Sequence, residues 1–390
     1  MTRVLPEDLD HGFATRAVHA GQRPDEATGA IMTPVYQTST YVQTGLGEHK
    51  GFEYARTRNP TRDALERNLA ALEGASHGFA FASGLAATDA VLKLLQAGDH
   101  VICGENVYGG THRIMTQVFE LMGLKFTFAD TRKVENIEAA ITTTTRMILV
   151  ETPTNPMMHL TDLAAVAALA RHHDLVLVVD NTFATPCFQR PIELGAEVVI
   201  HSTTKYINGH SDMVGGAVLT TRDDLAQRLQ FIQNSTGAVP GPLDCWLTLR
   251  GIKTLPIRMR QHDAAGRALA AWLSEHRAVR QVYYPGLPSH EQHDLACRQM
   301  AGFGGMISIE LGSLARARAV VQGTRIFALA ESLGGVESLI GHPASMTHDS
   351  VPREMREAMG LTDGLVRLSV GIEDIEDLID DLEQALAASG

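Results

Sequence analysis

A chain of 390 residues is too long for one typical hydrophobic core, which predicts two or three domains. Its 44% hydrophobic and 20% charged content is that of an ordinary globular protein, and a formal net charge of −12 argues against a nucleic-acid partner, which needs a basic face to neutralise phosphates. Four scattered cysteines (Cys103, Cys187, Cys245, Cys297) show no CxxC or Cys/His ligand spacing, so neither a disulfide framework nor a structural metal site is expected.

The opening MTRVLPEDLD carries acids where a secretory signal needs an apolar core. Residues 1–60 are polar and turn-rich, and read as an arm that packs on something else, a second subunit among the candidates. From Thr61 a helix is predicted. Leu65, Leu69 and Leu72 recur at helical spacing, with Thr61 as candidate N-cap and Gly74 as candidate stop. Between residues 79 and 220, apolar run, glycine or polar turn, and helix repeat. The runs are FAF (79–81), HVIC (100–103), MILV (147–150), LVLVV (175–179) and EVVI (197–200). LVLVV is the longest aliphatic run and far short of a bilayer span, so a cytoplasmic protein with no membrane partner is expected. Runs without polar alternation fit strands buried on both faces. A large α/β domain is therefore expected over 61–250, with a mainly parallel sheet covered by helices. Over 251–390 the texture changes: GGMISIEL (304–311) and LVRLSV (365–370) read as strands between helices. Ile375, Leu378, Ile379, Leu382 and Leu386 mark one face of a last helix, giving a smaller α+β domain.

The residues able to do chemistry follow the apolar runs. After FAF comes Ser83-Gly84-Leu85; after HVIC, GENVYGGT with Tyr108; after MILV, ETPTNP with Asn155. After LVLVV comes Asp180-Asn181-Thr182, and after EVVI, His201-Ser202-Thr203-Thr204-Lys205. In an open α/β sheet ligands sit outside the carboxyl ends of the strands, so five such clusters are expected to converge. The Ser83-Gly84 turn opens a helix whose N–H groups suit a phosphate, with Ser202 and Thr204 as hydroxyl donors. No GxxxxGK[ST] and no GxGxxG is present, which removes the usual nucleotide loops. One phosphate, one lysine amine and an aspartate at a strand end suggest pyridoxal phosphate, with Tyr108 as a flat face over its ring. Taken singly, each residue has a plainer reading. Lys205 is a solvated charge, Asp180 a turn cap, Ser83, Ser202 and Thr204 turn residues, Tyr108 a packing residue, and Arg367 an exposed strand arginine. His172, His173, His342 and His348 read as surface or satisfied histidines.

YARTRNPT, ETPTNP, DNTFATP, HSTTKYINGHSD, ESLGGVESL and RLSVGIED, spaced over residues 12–388, resemble the Cys/Met-metabolism pyridoxal-phosphate enzymes. The resemblance implies the aspartate-aminotransferase fold, fold type I of the PLP-dependent transferases, and pyridoxal 5′-phosphate as cofactor. It assigns Lys205 the Schiff base, Asp180 the pyridinium partner with Thr182 beside it, and Tyr108 the ring face. Asn155 lies by the ring's phenolic oxygen, and Ser83, Gly84, Leu85, Ser202 and Thr204 lie on the phosphate. Tyr54 and Arg56 would reach the phosphate of a neighbouring subunit, implying a homotetramer of active dimers. Arg367 would grip the substrate α-carboxylate with Ser338 close by, and Glu53 and Glu337 would receive a distal ammonium. The activity expected is γ-elimination on cystathionine. γ-Replacement on an acylated homoserine is the alternative; methionine γ-elimination and non-catalytic cofactor binding come behind it. Members that cleave methionine carry a cysteine where this chain has Gly110.

Overall fold

The computed structural model describes residues 3–349 and 353–389. Its strands are β1 His77–Phe81, β2 His100–Gly104, β3 Lys125–Ala129, β4 Thr145–Glu151, β5 Val176–Asp180, β6 Val198–His201 and β7 Gly216–Thr220. They continue with β8 Gln281–Tyr283, β9 Met306–Glu310, β10 Ala328–Leu329, β11 Leu339–Gly341 and β12 Leu365–Ser369. Helices alternate with them, so the fold is α/β, and its larger-sheet strands run mainly parallel. The chain forms two compact units, each discontinuous in sequence. One takes the residues up to Gln96 and Arg190–Pro256; the other takes Ala97–Gln189 and the residues from Ile257 on.

In the first unit the strand order is β1-β7-β6, with β7 antiparallel to both neighbours. Helix Pro60–Glu73 lies on them and buries Leu65, Leu69 and Leu72 with Leu219 and Leu249. Its cap is Asn59, not Thr61: the Asn59 side chain accepts the N–H groups of Thr61 and Arg62 at 2.9 and 3.2 Å. Pro60 is the reason. Proline lacks an N–H and is pre-set for the first helical position, so the cap falls one residue before it. The Thr61 hydroxyl instead donates to the Pro34 carbonyl at 2.8 Å. Gly74 ends the helix at φ 74°, as expected. Buried Glu66, on the same helix, accepts the Ala80 N–H and a Gln233 amide N–H, each at 3.0 Å, and ties the helix to β1. Val4, Ala17 and Ala20 also join this core, with helix Phe13–His19 burying Ala17 completely. Residues 21–59 contain no helix or named strand.

In the second unit β5-β4-β2-β3 are all parallel, and Glu151 at the end of β4 stands opposite Asp180 at the end of β5. A second sheet runs β10-β11-β12-β9-β8, with β12 antiparallel to β11 and β9. Helix Ile375–Ala388 covers it, packing Leu378, Leu382 and Leu386 near Ile309, Val366 and Leu368. All of 365–370 is buried, so Arg367 is not the exposed strand arginine of the plainer reading; it is 4% exposed. Among the described residues no helix is long and apolar enough to cross a membrane.

Candidate active site

The first unit sets a helix N-terminus against Ser202, in the turn that also carries Lys205. Ser83 is extended, and its Oγ accepts the Ala86 N–H at 3.0 Å, capping helix Gly84–Leu92. The first-turn N–H groups of such a helix have no intrahelical acceptor and carry the positive end of its dipole. Glycine is required at position 84, because a Cβ there would lie 2.9 Å from the Ser202 Cβ. It is required at 216 too, where a Cβ would lie 2.1 Å from the Ser83 carbonyl oxygen. β6 therefore delivers Ser202 directly against the helix start. The end of β6 is itself anchored by a buried contact between His201 Nε2 and the Glu73 carboxylate. Thr204 Oγ1 donates to the Gly215 carbonyl at 3.1 Å and accepts the Gly215 N–H at 3.0 Å, closing the turn that carries half-buried Lys205.

Tyr54 and Arg56 are exposed in the irregular 21–59 segment, the Arg56 guanidinium 5.6 Å from the Tyr54 ring centroid. Arg56 donates to the Asn234 carbonyl at 2.6 Å. Both residues line a cavity of about 380 Å³ with Gln37, Ser39, Asn59 and Pro240. None of Ser83, Gly84, Ser202, Thr204 or Lys205 lines it. Glu53 is exposed, its carbonyl facing the Tyr41 N–H.

The second unit holds the groups suited to a ring and an amino acid. Tyr108 precedes helix Gly109–Ile114 and is 39% exposed. Asp180 is half-buried, and its Oδ1 accepts the Thr182 N–H at 3.0 Å. Arg367 donates from Nη1 to Asn155 Oδ1 at 3.0 Å and from Nη2 to the Ser332 carbonyl at 2.8 Å. Asn155 is 3% exposed, so this is a buried, aimed guanidinium. Ser338 is also fully buried. Its hydroxyl donates to Glu373 at 2.9 Å and accepts the Gly371 N–H at 2.8 Å, which occupies it locally. The Glu337 carboxylate folds back over Gly335.

One central residue has no place among the sequence candidates. Glu151, 6% exposed, accepts the Tyr108 N–H at 2.9 Å and the Asn155 N–H at 2.8 Å. Burial, then the Asp180 charge, pushes its pKa up to about 8, while the two N–H donors and Arg367 oppose that rise. The available signal was its position: it ends an apolar run just as Asp180 does, four residues before Asn155. His348 is not at the surface: it is 2% exposed, and its Nδ1 meets the Thr347 hydroxyl at 2.9 Å. His342 is buried with both ring nitrogens engaged, while His172 and His173 are exposed.

The Cys/Met metabolism PLP-dependent enzyme family matches residues 14–387. The chain belongs to that family. It is 52% identical over 372 residues to a cystathionine gamma-lyase of Bacillus subtilis, covering 95% of this chain and 98% of that one. A cystathionine beta-lyase of Coxiella burnetii is 53% identical over 375 residues, covering 95% and 97%. A cystathionine gamma-synthase of Mycobacterium tuberculosis is 53% identical over 378 residues, covering 96% and 97%. Among solved structures, a cystathionine gamma-lyase from Lactobacillus plantarum in complex with L-serine superposes with a TM-score of 0.95 at 46% identity, covering 97% of this chain and 99% of that one. The protein is thus a trans-sulfuration family enzyme whose cofactor is pyridoxal 5′-phosphate. Its residues fit that group: the start of helix Gly84–Leu92 packs directly on Ser202, which only glycine at 84 and 216 allows, and a lysine follows in the same turn.

Proposed function

We propose that this enzyme catalyses γ-elimination on L-cystathionine, giving L-cysteine, 2-oxobutyrate and ammonia. The observation that carries the amino-acid substrate is Arg367, buried and aimed by Asn155 and the Ser332 carbonyl, a planar fork suited to an α-carboxylate. When bound, the cofactor supplies an electron sink for the substrate's α-carbon. Gly84, Leu85, Ser202 and Thr204 would hold its phosphate, Asp180 would keep the proton on its ring nitrogen, and Tyr108 would offer an aromatic face to its ring. Lys205 would hold the cofactor covalently and move protons at the substrate's α- and β-carbons, with Tyr108 assisting as acid or base. Asn155 would stand near the phenolic oxygen, Thr182 beside Asp180, and Ser338 close to the lysine side of the pocket.

Similarity does not choose among the family's reactions, because a γ-lyase, a β-lyase and a γ-synthase stand within a percentage point of one another. The preference for the γ-carbon rests on TRNPT after Tyr54-Ala55-Arg56, which follows the γ-type pattern. That for cystathionine rests on Glu53 and Glu337 as acceptors of the distal ammonium, and Gly110 in place of a cysteine sets the chain apart from the methionine-cleaving members. The second reading, γ-replacement of an acylated homoserine by cysteine, is favoured by the likeness to the M. tuberculosis gamma-synthase. In the cell we place the enzyme in the cytoplasm, as a homotetramer in which residues 1–60 complete a neighbour's site through Tyr54 and Arg56.

Cystathionine, O-succinylhomoserine with cysteine, and methionine, offered side by side to the holoenzyme, test this. Cystathionine is expected to give 2-oxobutyrate with far the highest kcat/KM. Pyruvate with homocysteine would make it a β-lyase, and efficient cystathionine formation a synthase. Lys205→Ala is expected to abolish turnover, and full turnover by that variant sinks the site assignment.

A further inference from the structure

We infer that Glu151 is a positioning residue for the reaction: its one buried carboxylate fixes the backbone of both Tyr108 and Asn155, and through Asn155 the guanidinium of Arg367. This rests on the reading that those three residues face cofactor and substrate.

The two contacts use separate oxygens, Oε2 for the Tyr108 N–H and Oε1 for the Asn155 N–H. The donors come from different segments, the loop after β2 and the turn after β4. One carboxylate therefore joins a residue 43 positions upstream to one four positions downstream. The Tyr108 loop is pinned from a further side: a Cβ on Gly109 would lie 2.4 Å from the Thr347 carbonyl oxygen, so that backbone runs directly against it. Asn155, fixed by its own N–H, presents Oδ1 to Arg367 at 3.0 Å. Displacing Glu151 thus moves an aromatic face and a carboxylate grip together. The acid at this strand end, set opposite Asp180, is desolvated and spends both oxygens on those two N–H groups.

Glutamine separates this role from simple packing. It keeps the volume but replaces one acceptor oxygen by an NH₂, which must then oppose an N–H donor. Glu151→Gln is expected to weaken cofactor binding and raise KM for the amino acid, each by roughly tenfold, since a buried donor loses its partner. Cofactor binding is read by titrating the apoenzyme with pyridoxal phosphate and following its absorbance and visible circular dichroism. The comparison variant is Asp381→Asn. Asp381 is as deeply buried (5% exposed) and accepts the N–H groups of Arg325, Ile326 and Phe327, a loop clamp outside the candidate site. It should lower the melting temperature and leave cofactor affinity and KM unchanged.

If Glu151→Gln behaves like Asp381→Asn, losing only thermal stability, the inference is overturned. Should the glutamine variant not fold, Glu151→Asp carries the same test. It keeps two acceptors but withdraws them by one methylene, so cofactor affinity and KM must still shift together. The underlying reading fails separately, through Lys205→Ala that keeps turnover or Arg367→Ala that keeps KM.

Discussion

A histidine buried in a low-dielectric site stays neutral, which ties its protonation to unfolding. Burial first, and then the Arg367 guanidinium, lowers the pKa of His348 from 6.5 to about 4. His262 is fully buried with Nδ1 donating to the Val370 carbonyl at 2.8 Å, and it falls to about 4 as well, burial again leading. Both folded values lie below those of the unfolded chain, so as pH falls the unfolded state takes up protons first. Their contribution to stability is complete above about pH 6.5, declines between there and about pH 4, and stops changing once the folded state is protonated too. From pH 7 to pH 5 each imidazole should cost about 1–2 kcal/mol of unfolding free energy. Urea midpoints measured across that range should fall with acid, and His348→Gln should flatten the fall. A variant with the parent's slope would mean that His348 takes up its proton equally in the folded and unfolded chain.

At the scale of elements, helix Pro60–Glu73 depends on Asn59 more than a lone cap would. Besides capping, the Asn59 amide donates to the Tyr36 carbonyl at 2.8 Å and to the Tyr41 hydroxyl at 3.3 Å, fastening the irregular segment to the helix start. Asn59→Ala should therefore destabilise by about 1–2 kcal/mol, the upper end of a cap loss, with Thr61→Ala costing less. Equal losses would assign the cap back to Thr61. The same helix shows what the sequence makes legible. Leucine spacing and Gly74 locate it within a residue, but the cap depends on a local competition that Pro60 decides. β2, β4, β5 and β6 stand out because both faces are buried, leaving uninterrupted apolar runs. β3 (KFTFA) escapes that reading because it edges the β5-β4-β2-β3 set and carries polar residues with half-buried side chains. β7 (GAVLT) escapes it because its leading glycines look like a turn. Asp180, Asn155 and Lys205 are legible as polar residues at the ends of readable strands. Glu151 sits at such an end too, but its significance is non-local. It appears only once the β4–β5 register sets it opposite Asp180 and the chain returns Tyr108 to it.

For the whole molecule, the question is what residues 21–59 are for. They hold Ile31, Val42 and Leu46 at 79%, 94% and 106% exposure, and Tyr54 and Arg56 of the same segment line a cavity. Apolar side chains this open, in a segment without its own secondary structure, are ones that a neighbouring subunit would cover. The cavity also excludes the phosphate cradle of the same chain, as it must if Tyr54 and Arg56 serve a neighbour's phosphate. That arrangement predicts complementation between two crippled chains. Lys205→Ala removes the amine from a chain's own cradle, whereas Arg56→Ala removes a phosphate ligand given to the neighbour. In a two-fold pair containing one of each, one site carries both defects and the other carries neither. Random exchange of equal amounts should therefore restore about one quarter of the sites. The two variants, coexpressed with different affinity tags and purified through both, should regain activity that neither shows alone. Their mass in light scattering should correspond to four chains of 42.2 kDa. Mixed assemblies with no more activity than the separate variants would place Arg56 in its own chain's site and remove the reason to assign the 21–59 segment to a partner.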